Sequence, residues 1–252
     1  MNQPILAKTI SIQGHNGDWI NAYIATPLNE TMNGSVVVNH HMPGWDEGSK
    51  EITRKFATYG YTAICPNLHH REGPDLAPDD AAAAARAIGG VPDERYLGDC
   101  KGAIEYLRNQ PQSNGKVAVI GYCSGGRQAY LAACNLDINA AVPCYPGLVT
   151  GQLPPNFSLK HMKPIIDQTQ NISCPILGLF GKEDANPSQE HVAEIEAELK
   201  KYSKTYEFHS YDNAGHAFFA TDRVSYRPEA AIDGWRKIFE FFNVYAKRDQ
   251  LI

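Results

Sequence analysis

The 252 residues carry a net charge of −5, with basic residues scattered rather than clustered, which gives no electrostatic footing for nucleic acid. The length suits one large α/β domain over 1–252, and no Ser/Gly/Pro-rich linker marks a second unit. The start, Met1 to Ile5, has neither the basic segment nor the apolar run of a secretory leader, and no stretch approaches membrane-spanning length, so the expected setting is cytoplasmic with no membrane partner.

Residues 5 to 13 and 18 to 26 read as a hairpin around Gly14 to Gly17, an antiparallel edge of a larger sheet. The pattern then changes to alternating strands and helices. A buried strand at 36 to 38 precedes a helix at 48 to 59, and a strand at 62 to 65 stops at Pro66. Residues 79 to 88 and 93 to 109 are predicted helices, the first because of its alanine run. A β-branched strand at 116 to 120 leads into a helix at 124 to 136, and 140 to 143 forms the next strand. Strands at 175 to 180 and 205 to 211 flank a Glu/Lys-rich helix at 188 to 202, and an apolar-faced helix spans 228 to 245. This order predicts a mainly parallel, doubly wound sheet with helices on both faces, whose active site lies beyond the carboxyl ends of the strands.

Between the strand at 116 to 120 and its helix stands Gly121-Tyr122-Cys123-Ser124-Gly125. Glycines on both sides of a thiol at a strand-to-helix turn are the pattern of a nucleophile elbow, where a Cβ would collide with neighbouring backbone. Unpaired amides at the start of the helix favour a thiolate and an oxyanion. Ser124 is the competing nucleophile, but Tyr122 would then stand two places before it, where the turn needs a small residue. Core filling by Cys123 is the plainer alternative. The other cysteines, at 65, 100, 134, 144 and 174, show no CxxC pair or dense disulfide spacing, which fits a reducing compartment.

A thiol nucleophile needs a base, and the base an orienting acid, from later strand-end loops. Asp184 and His216 occupy such places, with Glu183 a rival for the acid and Asp212 a turn cap. His209, within a strand, and His191, on a polar helix, read as surface residues. The pairs His40-His41 and His69-His70 also follow strands, but neither HExxH nor Cys/His spacing supports a metal, and none is expected. Met42 to Glu47 shapes the pocket mouth, where Trp45 either stacks on substrate or covers core.

Gly121-Tyr122-Cys123-Ser124-Gly125-Gly126, Leu177 to Asp184 (LGLFGKED) and Gly215-His216-Ala217-Phe218 together resemble the dienelactone hydrolase family of the α/β-hydrolase superfamily. Cys65 to Leu68 (CPNL) and Tyr226 to Ala231 (YRPEAA) extend the likeness over most of the chain. The resemblance implies an α/β-hydrolase fold, a Cys123, His216 and Asp184 triad, and an oxyanion hole from the Met42 and Ser124 amides. Founding members hold their thiol with a glutamate where this chain has His41. They also grip a substrate carboxylate with two arginines; Arg71 matches the first, while Ala220 stands at the second, with Arg223 nearby. His41, Arg71, Trp45 and Arg223 are therefore the candidate substrate-binding residues. The reading is a hydrolase of small esters or lactones, without a cofactor, as a monomer or small homo-oligomer. A thioesterase or general carboxylesterase on the same fold is the alternative enzyme, and a binding or thiol redox-sensing module the alternative of another class.

Overall fold

The computed structural model of the protein describes residues 4–28, 31–152 and 159–247. Eight strands form one sheet: β1 (Ile5–Gln13), β2 (Trp19–Pro27), β3 (Asn33–Asn39), β4 (Thr62–Pro66), β5 (Ser113–Tyr122), β6 (Ala140–Cys144), β7 (Ile176–Gly181) and β8 (Tyr206–Tyr211). Their spatial order is β1-β2-β4-β3-β5-β6-β7-β8. β1 and β2 form the expected hairpin, β2 pairs antiparallel with β4, and every later pairing is parallel. The helices are α1 (Glu47–Thr58), α2 (Pro78–Ala87), α3 (Asp93–Arg108), α4 (Ser124–Asn135), α5 (Gln189–Lys201) and α6 (Pro228–Phe242). Among the described residues no helix is long and apolar enough to cross a membrane.

Central strands read as unbroken apolar runs because both faces are covered. Side chains alternate between two cores. Val37, Ile64, Val119, Ala141 and Ile176 pack against α3, α4 and α5, whereas Val36, Val38, Ile120, Val142 and Leu179 pack against α1 and α6. The alanine run of α2 turns Ala81, Ala82 and Ala85 inward. Boundaries differ from the sequence expectation mainly where strands begin. β3 and β5 extend backward through Asn33 and Ser113, which the apolar pattern alone passes over. α6 stops at Phe242 and continues as a π-helical turn, Asn243–Lys247, rather than as one helix to 245.

The chain winds one way from β3 to β4 and the other way from β5 to β8, so the direction switches between the adjacent strands β3 and β5. That switch opens a crevice at their carboxyl ends. There the backbones nearly touch. A Cβ on Gly125 would lie 2.5 Å from the Asn39 carbonyl oxygen and 2.7 Å from that of His40, and one on Gly121 would lie 2.0 Å from the Gly125 oxygen. Neither contact can be relieved by turning a side chain, so Gly125→Ala is expected to cost about 2–4 kcal/mol. Scanning calorimetry should show this as a fall in Tm of roughly 5–15 °C.

Candidate active site

Cys123 joins β5 to α4 with φ 60° and ψ −120°, a left-handed conformation rare for any residue with a Cβ. Such strain is of order 1–3 kcal/mol and persists only where the surroundings dictate it. Here the Cys123 N–H donates to the Cys144 carbonyl at 3.2 Å, while its own carbonyl accepts from the Gly126 and Arg127 amides at 3.0 and 3.2 Å. The sulfur-bearing residue is thereby pinned at the start of α4, whose first amides have no intrahelical acceptor. Cys123 is also the one cysteine that is not buried. Burial pushes the thiols of Cys100, Cys134 and Cys174 up to about 12 and raises Cys65 and Cys144 as well.

Asp184 and His216 leave the ends of β7 and β8 and meet. The His216 Nδ1–H donates to Asp184 Oδ2 at 2.8 Å, and Asp184 Oδ1 accepts from the Asn186 amide at 2.8 Å. Asp184 is buried, whereas Glu183 is exposed and has only its backbone N–H tied, to Ala214. The Cys123 thiol is near enough to influence the charge of the imidazole. Burial opposes the imidazolium, but hydrogen bonds to Asp184 and Cys123 outweigh it and raise the His216 pKa from 6.5 to about 10. Tyr145, at the end of β6, packs edge-on against the imidazole with ring centroids 5.1 Å apart.

Met42 and Ser124 line one small cavity of about 40 Å³ beside the elbow. The remaining candidates do not line this small cavity. Arg71 forks the carboxylate of Asp99 at 2.9 Å through both terminal nitrogens and reaches Asp18 at 2.8 Å through Nε, so its donors are taken up between α3 and the hairpin. Glu72 instead pairs with Arg95. Trp45 packs into the α1/α6 core, donates its Nε1–H to the Cys65 carbonyl at 2.9 Å and is capped by Lys50 at 4.3 Å. His41 binds Asp46, the N-cap of α1, at 2.5 Å; burial opposes ionisation of that carboxyl, but the His41 bond holds it below the usual range. Arg223 is exposed, with no side-chain partner among the described residues.

The neighbouring histidines are structural. His40 donates through Nδ1 to the His41 carbonyl at 2.9 Å and accepts the Leu68 amide on Nε2 at 3.2 Å, tying the loop after β3 to the loop after β4. With both nitrogens used, burial lowers its pKa to about 4. Among the described residues no group of three or more His, Cys, Asp or Glu side chains is arranged to hold a metal ion.

A larger cavity of about 140 Å³ lies on the α1/α6 side of the elbow, walled by Tyr122, Tyr145, Ile52, Phe219, Ala220 and Trp235. His41, a candidate from the sequence, lines this cavity too, and Ala220 stands in it where the family's second arginine is expected, but the aromatic wall is not marked in the sequence. Its aromatic residues look like core in each segment, and only the spacing of Phe219 and Ala220 just after His216 hinted at a site.

Two outcomes follow from these contacts. His216 has a folded-state pKa above its ordinary 6.5, so its protonation stabilises the fold fully below about pH 6.5, and that contribution disappears as pH rises through about 10. In Asp184→Asn, an NMR titration of the imidazole should show the pKa falling, and the alkaline loss of stability should flatten. Arg71→Ala would leave the fully buried Asp99 without its cation, and urea unfolding should show a loss of about 3 kcal/mol.

The dienelactone hydrolase family model matches residues 20–246. An Escherichia coli protein provisionally named carboxymethylenebutenolidase is 33% identical over 244 residues, covering 93% of this chain and 86% of its own. The carboxymethylenebutenolidase of Pseudomonas putida is 29% identical over 235 residues, covering 90% and 92%. A crystal structure from Klebsiella pneumoniae, provisionally assigned as a dienelactone hydrolase, superposes with a TM-score of 0.85 at 29% identity, covering 96% of this chain and all of that one. With an eight-stranded mixed sheet covered on both faces and a match across nearly its whole length, this chain belongs to the dienelactone hydrolase family, on the α/β-hydrolase fold.

Proposed function

We propose that this family member, a carboxylic ester hydrolase, opens small esters or lactones by acyl transfer to Cys123. One arrangement supports the reading: the buried Asp184 carboxylate holds the His216 imidazole, and the Cys123 thiol, carried by a third strand end, is near enough to help raise the imidazole's pKa. Asp184 takes the Nδ1–H of His216, which leaves Nε2 as the nitrogen for proton transfer. His216 accepts the thiol proton as Sγ attacks the carbonyl carbon, and the carbonyl π electrons move onto oxygen. Amides of Met42 and Ser124 receive that oxyanion, which collapses and expels the alkoxide while His216 returns the proton to it. For a lactone, the freed hydroxyl stays on the acyl chain. Water then gives a proton to His216 and attacks the thioester, releasing the acid and restoring the thiol. Atoms and protons balance without a cofactor.

A pKa raised to about 10 favours transfer of the thiol proton to His216 and retains it there as the imidazolium that then protonates the leaving alkoxide. Hydrolysis of a neutral aryl ester should fall about 10³-fold or more in Cys123→Ala and in His216→Ala. Rapid mixing and mass spectrometry of the wild type should reveal one acyl group on the Cys123 peptide. Turnover retained in both variants would overturn the assignment. Thiol oxidation without any ester turnover would favour the sensor reading instead.

A further inference from the structure

The 140 Å³ cavity adjoins the proposed nucleophile, because Tyr122 immediately precedes Cys123 and Tyr145 both lines the cavity and packs on His216. Its size is close to that of a cavity of about 150 Å³ that admits benzene. One side of the wall is aromatic: Tyr122 lies with Tyr145, Phe219 and Trp235 at centroid distances of 6.1, 5.6 and 6.5 Å. Within them the Tyr122 hydroxyl is buried and has no hydrogen-bond partner. Tyr122 is 5% exposed, so this oxygen lacks both a protein partner and open solvent, a costly state that a ligand would relieve by parting the neighbouring rings to reach it.

Charge around the cavity is unbalanced. Asp46, Glu51 and Asp222 contribute carboxylates, against the single ammonium of Lys55. That ammonium sits 4.2 Å over the Trp235 ring, and burial lowers its pKa. His41 is committed to Asp46. Ala220 adds only a methyl group to the wall. Among the lining residues an entering anion would meet more negative than positive charge and no guanidinium, since Arg223 follows Asp222 without lining the cavity.

We propose that this cavity is the substrate's recognition pocket and takes a neutral group the size of a six-membered ring, bearing a hydroxyl or carbonyl that pairs with Tyr122. A carboxylate on that group is disfavoured. The assignment rests on the ester-hydrolase reading but concerns binding alone, so the two can fail separately.

Titration of the wild-type protein with benzyl alcohol, toluene and benzoate, followed by NMR at neutral pH, tests it. Benzyl alcohol is expected to bind about tenfold or more tightly than benzoate. Filling the cavity with Ile52→Trp should weaken benzyl alcohol about tenfold or more. Should that variant fail to fold, Ala220→Phe, at another lining position, makes the same test. Tyr122→Phe should weaken benzyl alcohol roughly three- to tenfold and leave toluene unchanged. Ala220→Arg should reverse the order of benzyl alcohol and benzoate.

Equal binding of benzoate and benzyl alcohol to the wild type would overturn the proposal. So would indifference to cavity filling, or equal loss of toluene and benzyl alcohol in Tyr122→Phe. None of these results bears on Cys123, whose role stands or falls with hydrolysis in Cys123→Ala.

Discussion

The near-contact between the backbone leaving β3 and the first turn of α4 is the constraint from which the site follows. Gly121 and Gly125 allow strand and helix start to lie against Asn39 and His40 with no side chain between them. Because that gap is closed, Cys123 must take a backbone conformation that ordinary residues avoid, and its sulfur is presented at the crevice where the winding direction changes. The same approach brings Met42, just beyond β3, to the cavity that Ser124 also lines. Geometry that reads as strain in one residue thus sets the positions of two amides and a thiol together.

Much of the fold was legible in the chain because covered parallel strands advertise themselves as apolar runs, and the helices between them carry ordinary amphipathic patterns. The elbow was legible for a different reason, since glycines at fixed offsets around Cys123 have a steric meaning that survives without coordinates. Strand beginnings were not. Asn33 and Ser113 pair as neighbours in β3 and β5 although neither is apolar. Long-range partners were equally hidden: Arg71 follows a strand as a ligand-binding arginine would, yet its fork closes on Asp99, 28 residues later, on α3. Trp45 was open between substrate and core, and only its bond to the Cys65 carbonyl decides its neighbourhood.

Asp184 apart, the buried charges among the described residues join elements rather than line the crevice. Arg127, almost wholly enclosed, binds Asp93 through two nitrogens and so ties α4 to the start of α3. Arg71 does the same for α3 and the hairpin. Neither pair is strong evidence of net stabilisation, but each would be hard to break by removing one partner. What they contribute is a fixed position for α3 and α4 behind the elbow, against which the strained turn can be held.

The sheet divides the interior into two independent packings, one with α3, α4 and α5 and one with α1 and α6. The ring-walled hollow belongs to the second alone. Cys123 packs against that second core as well, so a change at Ile52, Phe219 or Trp235 reshapes the hollow and the surroundings of the sulfur together, while the packing behind α3 and α4 goes on undisturbed.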